Sequence, residues 1–118
     1  MVSFEAMKAA FCIREDDVID EAVQNKWNAI QKIFRDRSLQ IMPRNLKMVK
    51  NYCAVGCRCM ERDTPATKLR LWITRYPRKF FLPSTETART TAMLIEDLLK
   101  ECIAQNNADK VTKHLREN

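Results

Sequence analysis

Apolar residues recur along this chain at steps of three and four, the spacing that lines them up on one side of an α-helix. Phe4, Met7, Ala10 and Phe11 share one side of a first short helix, for which Ser3 can supply the N-cap. A second stripe runs through Ile19, Val23, Trp27, Ile30 and Phe34 and is widened by Ala22 and Ile33. Asp16 or Asp17 is expected to cap that helix, because acidic residues crowd its first turn, where the helix dipole is positive. Lys32, Arg35 and Arg37 fall near its other end, again the favourable sign, and the helix is expected to stop before Pro43. A third helix is expected over residues 43–62, with Pro43 in its first turn. Thr64-Pro65 repeats the pattern of a cap followed by proline and opens a fourth, "ATKLRLWITRY", ended by Pro77. "RKFFLP" reads as a connector. Ser84 or Thr85 caps a long fifth helix that carries Ala88, Ala92, Ile95, Leu99 and Cys102 at helical spacing. "AQNNADK" weakens the pattern, so residues 107–118 are expected either to form a separate final helix through Val111 and Leu115 or to fray.

These elements predict an all-α fold: one small domain of five to six helices over residues 1–118, built on a long amphipathic helical hairpin and expected to pair as a dimeric bundle, since one thin protomer offers little core or reach. Composition points the same way. One glycine and four prolines in 118 residues are too few for the many tight turns of an all-β fold. Apolar residues make up 46% of the chain, which is enough for a core, though a thin one. No apolar run approaches the roughly 20 residues that cross a bilayer, so no membrane association is expected. The first residues lack the pattern of a secretory signal, and Val2 stands where myristoylation needs glycine. Five cysteines without a signal segment suggest free thiols in a reducing cytoplasm.

Charge sharpens the picture. Residues 1–31 carry a net −3 and residues 80–118 a net −1, whereas residues 32–79 hold thirteen basic side chains against three acidic. Segregation of this kind implies self-repulsion that a polyanion would relieve.

The stretch "PRNLKMVKNYCAVGCRCMERDTP", residues 43–65, holds three of the cysteines, the only glycine and five basic residues. On a helix with roughly 100° per residue, Arg44, Lys47, Asn51, Arg58 and Arg62 fall in one stripe about 60° wide. Leu46, Val49, Cys53, Cys57 and Met60 lie opposite, so one side reads as core and the other as a basic ridge. Cys59 points away from both other cysteines of the stretch, and the one histidine, His114, is far along the chain. A zinc site is therefore not expected, and Cys53 and Cys57 read as small apolar fillers. Gly56 sits on the flank of the core side, where a second backbone can approach closely.

A rigid cationic ridge can follow a phosphate backbone without reading bases, and double-stranded RNA is recognised largely by shape. The candidate RNA-binding residues are Arg35, Arg37, Arg44, Lys47, Asn51, Arg58, Arg62, Lys68 and Arg70. Residues 68–81 interleave basic with aromatic residues, a pattern that can stack on single strands. Leu69, Trp72, Ile73 and Tyr76 lie at helical spacing, however, and favour core packing. A helix-turn-helix DNA reader is a second possibility, with Lys68, Arg70 and Arg75 toward a groove, although that helix lacks base-reading Asn or Gln. An adaptor for an acidic protein is a third. No nucleophile–base constellation supports an enzyme, and no cofactor, metal or small-molecule substrate is expected.

Two long amphipathic helices, the second with a basic side, lead to a proline-started short helix. With Asn45-Leu46, Arg58 and Thr64-Pro65, this order resembles the small silencing suppressors of insect nodaviruses over residues 17–76. The resemblance implies a helical homodimer whose long helices lie along double-stranded RNA and hide it from Dicer in the host cytoplasm. Arg58 would then touch phosphate. The helix expected after residue 84 departs from the family's pattern.

Overall fold

α1, Phe4–Ala10, starts where Ser3 accepts a hydrogen bond from the Ala6 amide at 3.1 Å. α2, Glu21–Asp36, starts at Asp20, whose Oδ1 accepts from the Ala22 amide at 2.8 Å. The N-cap is thus Asp20, not Asp16 or Asp17, which lie outside the described residues. The structure, a computed structural model, describes residues 3–13, 20–58, 63–82 and 88–117, the stretch 106–117 by its backbone alone.

α2 does not run on toward Pro43. It closes at Asp36 because Ser38 takes a left-handed φ of 49°. The Leu39 amide then donates to Phe34 O at 2.9 Å and the Ser38 amide to Arg35 O at 3.3 Å. This pair of bonds is a Schellman cap. The end of α1 repeats it: Cys12 has φ 61°, Ile13 N donates to Lys8 O at 3.2 Å and Cys12 N to Ala9 O at 3.0 Å. Glycine is the usual residue at such a position, since a β-carbon there costs about 1–2 kcal/mol. A chain with one glycine fills both with other residues.

After the α2 turn, β1 (Gln40–Ile41) pairs antiparallel with β2 (Phe81–Leu82), with Gln40 opposite Leu82 and Ile41 opposite Phe81. "RKFFLP" is therefore not a plain connector. Its first residues belong to α5, Pro77–Phe80, and the next two are β2. Between the strands lie α3, Pro43–Arg58, and α4, Asp63–Arg75, which begins just ahead of the expected Thr64-Pro65. The fold is all-α, with this two-residue pairing its only sheet among the described residues.

α6, Ala88–Glu117, is one unbroken helix of 30 residues, about 45 Å long; the expected break near "AQNNADK" does not occur. Ala88, Thr91, Ala92, Ile95, Glu96, Leu98, Leu99, Cys102 and Ile103 are buried along it. At 100° per residue they occupy an arc roughly 160° wide, broad enough to receive several neighbours. α2, α3 and α4 all pack on it, so the two long helices expected as a hairpin each rest on α6. None of the helices is long and apolar enough to cross a membrane among the described residues.

One apolar cluster joins side chains from all six helices and both strands. Its aromatic part is built edge-on: Phe80 and Phe81 have centroids 4.8 Å apart, Phe34 and Phe81 6.2 Å, and Trp72 and Phe80 6.1 Å. Burying each such ring contributes about 1.5–3 kcal/mol. The core packing expected of Trp72 and Tyr76 is met only in part, since both are half-buried, while Phe80 and Phe81 are fully enclosed.

Candidate nucleic-acid interface

α3 runs without interruption for 16 residues and contains no carboxylate. Val49, Cys53 and Gly56 face the interior, together with Asn45. Arg44, Lys47, Lys50, Asn51 and Arg58 are exposed. The buried arc is centred nearer Asn45 and Gly56 than the apolar pattern predicts, and Leu46 and Cys57 are only half-buried. Gly56 is buried on this side of the helix. Arg62, the last residue of the expected ridge, lies outside the described residues, as do Cys59 and Met60.

Asn45 fixes the start of α3. Its Nδ2 donates to Lys79 O at 2.6 Å and lies 3.5 Å from Phe80 O, while the Met42 amide donates to Phe80 O at 2.9 Å. These bonds tie the first turn of α3 to α5. Arg78 and Lys79 on α5, and Arg75 just before it, are exposed. Tyr76 organises two of them: its ring centroid is 4.7 Å from Lys79 Nζ and 5.4 Å from Arg75 Cζ. Three further exposed cations thus lie on, or just before, the segment that Asn45 ties to the first turn of α3. Interleaving in "TRYPRKFF" was the available signal, but it could not show that Asn45 would bring this segment to α3.

The other candidates fall in different places. Arg35 is exposed on α2, with its Cζ 5.2 Å from the Phe4 centroid, and Arg37 is exposed at the end of that helix. These two belong to α2 and its C-cap rather than to α3. Lys68 is exposed on α4. Arg70 is committed elsewhere: its Nε lies 2.9 Å from Oε1 of Glu96, a residue only 8% exposed. Lys100 approaches the other oxygen of Glu96 at 3.8 Å. These are the ion pairs among the described residues, and no cation of α3 takes part in one.

The cysteines form their own cluster. Cys53 on α3 feels Cys12, Cys57 and Cys102, brought from the end of α1, the next turn of α3 and α6. A hydrogen bond with the Cys12 thiol, then burial, pushes the Cys53 thiol far above its ordinary range. Burial, with Cys12 and Cys57 nearby, pushes Cys102 up to about 12. Sequence spacing found only the Cys53–Cys57 half of this group. Among the described residues no three His, Cys, Asp or Glu side chains are arranged to hold a metal ion.

Comparisons with protein families, with curated proteins and with solved structures give no match for this chain.

Proposed function

We propose that this protein binds double-stranded RNA without regard to sequence, through the exposed side of α3. The observation that carries this reading is a 16-residue helix free of carboxylates, whose Arg44, Lys47, Lys50 and Arg58 stand in solvent without an ion pair among the described residues. From Arg44 to Arg58 the helix rises about 21 Å, a rigid row that can follow several phosphates. Asn51, within the same row, suits a sugar hydroxyl. Arg78 and Lys79, exposed on the segment bonded to the first turn of α3, are candidates to extend this surface. The helix-turn-helix reading is weakened, since Arg70, one of its three groove-facing cations, is engaged with Glu96.

The likeness to nodaviral suppressors extends the reading to a cytoplasmic homodimer that shields duplex RNA from Dicer. The test is a gel shift with duplex RNA, duplex DNA and single-stranded RNA of one sequence, repeated with a second sequence. Duplex RNA of either sequence is expected to shift equally. No shift of any nucleic acid at low salt would overturn the reading in favour of an acidic protein partner. A strong dependence on a few base pairs of DNA would overturn it in favour of a groove reader. Light scattering of the free protein reports the dimer.

A further inference from the structure

The cysteine cluster plays no part in the proposed interface. Cys53 is fully buried on the interior side of α3, and its Sγ donates to the Phe11 carbonyl at 3.6 Å. The residue after Phe11 is Cys12, half-buried, and its thiol lies near enough to that of Cys53 to help hold the Cys53 proton. Cys12 occupies the left-handed position of the α1 Schellman cap, at φ 61°. Glycine would fit that backbone with less strain. Cys12 thus sets a second thiol beside Cys53, 41 positions away along the chain, at the point where Cys53 is bonded to the end of α1.

We propose that Cys12 and Cys53 are a dithiol pair that oxidises reversibly to a disulfide, stapling the end of α1 to the interior side of α3. The oxidant is a low-molecular-weight disulfide such as glutathione disulfide. Cys12, the more accessible of the two, attacks one glutathione sulfur as its thiolate, forms a mixed disulfide and releases one glutathione. Cys53 then attacks Cys12 Sγ from the position its hydrogen bond already holds. The second glutathione leaves, and the Cys53 proton passes to solvent or to the departing thiolate. Two protein thiols and one glutathione disulfide become one protein disulfide and two glutathiones. Ring closure brings the two sulfurs to about 2.05 Å, and the bond of Cys53 Sγ to the carbonyl of Phe11, the residue before Cys12, already holds Cys53 at the end of α1. Burial and hydrogen bonding hold the proton on Cys53, so ring closure is slower than capture and quickens as pH rises. The staple lies on the side of α3 away from Arg44, Lys47 and Arg58, so it stiffens the helix without touching its cations.

The test incubates the full chain in graded mixtures of glutathione and its disulfide, blocks free thiols and maps the tryptic peptides. Oxidation should remove two hydrogens and join residues 9–14 to residues 51–58. Because the second peptide also holds Cys57, variants decide the partner: C57A should keep the link, and C53A should lose it. C12G should lose it too while retaining the fold, since glycine suits the cap. The oxidised wild type should melt at a higher temperature than the reduced one. A link that persists in C53A or C12G overturns the proposal. So does one that runs to Cys57 or Cys102, or glutathione that stays on Cys12 with no internal bond formed.

Discussion

The side-chain amide of Asn45 donates to the main-chain carbonyl of Lys79 across 2.6 Å, and through this bond the first turn of α3 is anchored to α5. Asn45 is only 3% exposed, so its amide has no access to bulk water as an alternative partner. Asn45→Ala is expected to destabilise the fold by about 1–3 kcal/mol, the cost of leaving a buried partner unsatisfied. Urea unfolding would show a lower midpoint with an unchanged slope. Asn45→Asp should be worse, since it turns a carboxylate toward two carbonyls. An Asp variant as stable as wild type would contradict this role.

Arg70 and Glu96 make a second anchor, between α4 and α6, at 2.9 Å. Their side chains are 29% and 10% exposed, so solvent screens the arginine in part. Removing only one partner leaves a nearly buried carboxylate with Lys100 as its remaining cation at 3.8 Å. Arg70→Met should therefore cost about 2–3 kcal/mol, below the full range for a buried pair. The double variant R70M/E96M should recover part of that loss, because apolar side chains can replace a buried pair. Chemical denaturation of the three proteins checks both statements, and an equal or greater loss in the double variant would refute the second.

Both anchors explain what the sequence did not disclose. The stripe Val23, Trp27, Ile30 and Phe34 was legible because burial along one helix repeats with the helix period, and all four are buried. The exposed row of α3 was legible for the same reason. Asn45 and Arg70 were not, since a polar residue bonded inside the protein looks in sequence like one in solvent. Glu96, the partner of Arg70, lies in a different helix, and only packing of α4 on α6 brings the two together. The strands Gln40–Ile41 and Phe81–Leu82 are too short to show an alternating pattern. The end of α2 falls before Pro43 as expected, but its place at Asp36 was not legible, because the usual signal there is glycine and here it is Ser38.

Ser38 offers a direct stability test. Glycine at this left-handed position relieves the strain of a β-carbon, about 1–2 kcal/mol, and loses roughly 0.5–1 kcal/mol through the greater freedom of the unfolded chain. Ser38→Gly is therefore expected to stabilise the protein by about 0.5–1 kcal/mol. The side chain is exposed, so little packing is lost with it. Differential scanning calorimetry should show a higher melting temperature; a lower one would mean that the serine hydroxyl supplies something glycine cannot.

Cys102 gives the fold a defined response to alkali. Its thiol has an ordinary value of 9.0 and is held up to about 12 in the folded protein. Between these values the folded state keeps the proton and the unfolded state loses it, so stability falls as pH rises. The contribution is fully present below pH 9.0 and is lost progressively toward about 12. The slope approaches about 1.4 kcal/mol per pH unit for one proton. Comparing wild type with Cys102→Ala between about pH 8 and pH 10, under reducing conditions, isolates it from lysine and tyrosine titration. The variant should be less stable at the lower pH through poorer packing, yet fall less on going to the higher one. Parallel curves would mean that Cys102 ionises alike in both states.

The proposed interface makes a prediction of a different kind, because phosphate binding is read through salt. Each phosphate no longer neutralised should flatten the plot of log affinity against log salt by nearly one unit, about 0.9 for a B-form duplex. Lys47→Gln and Arg58→Gln should each weaken binding of duplex RNA by a similar factor whatever its sequence, and together should flatten the slope by about two units. Both side chains are exposed and outside any ion pair among the described residues, so melting temperatures should stay close to wild type. Arg78→Gln and Lys79→Gln discriminate further. If the cations that Asn45 brings to the start of α3 share the surface, each variant should flatten the slope as Lys47→Gln does. An unchanged slope in those two, with a flattened one in Lys47→Gln and Arg58→Gln, would confine the binding surface to α3. An unchanged slope in all four would remove α3 as that surface.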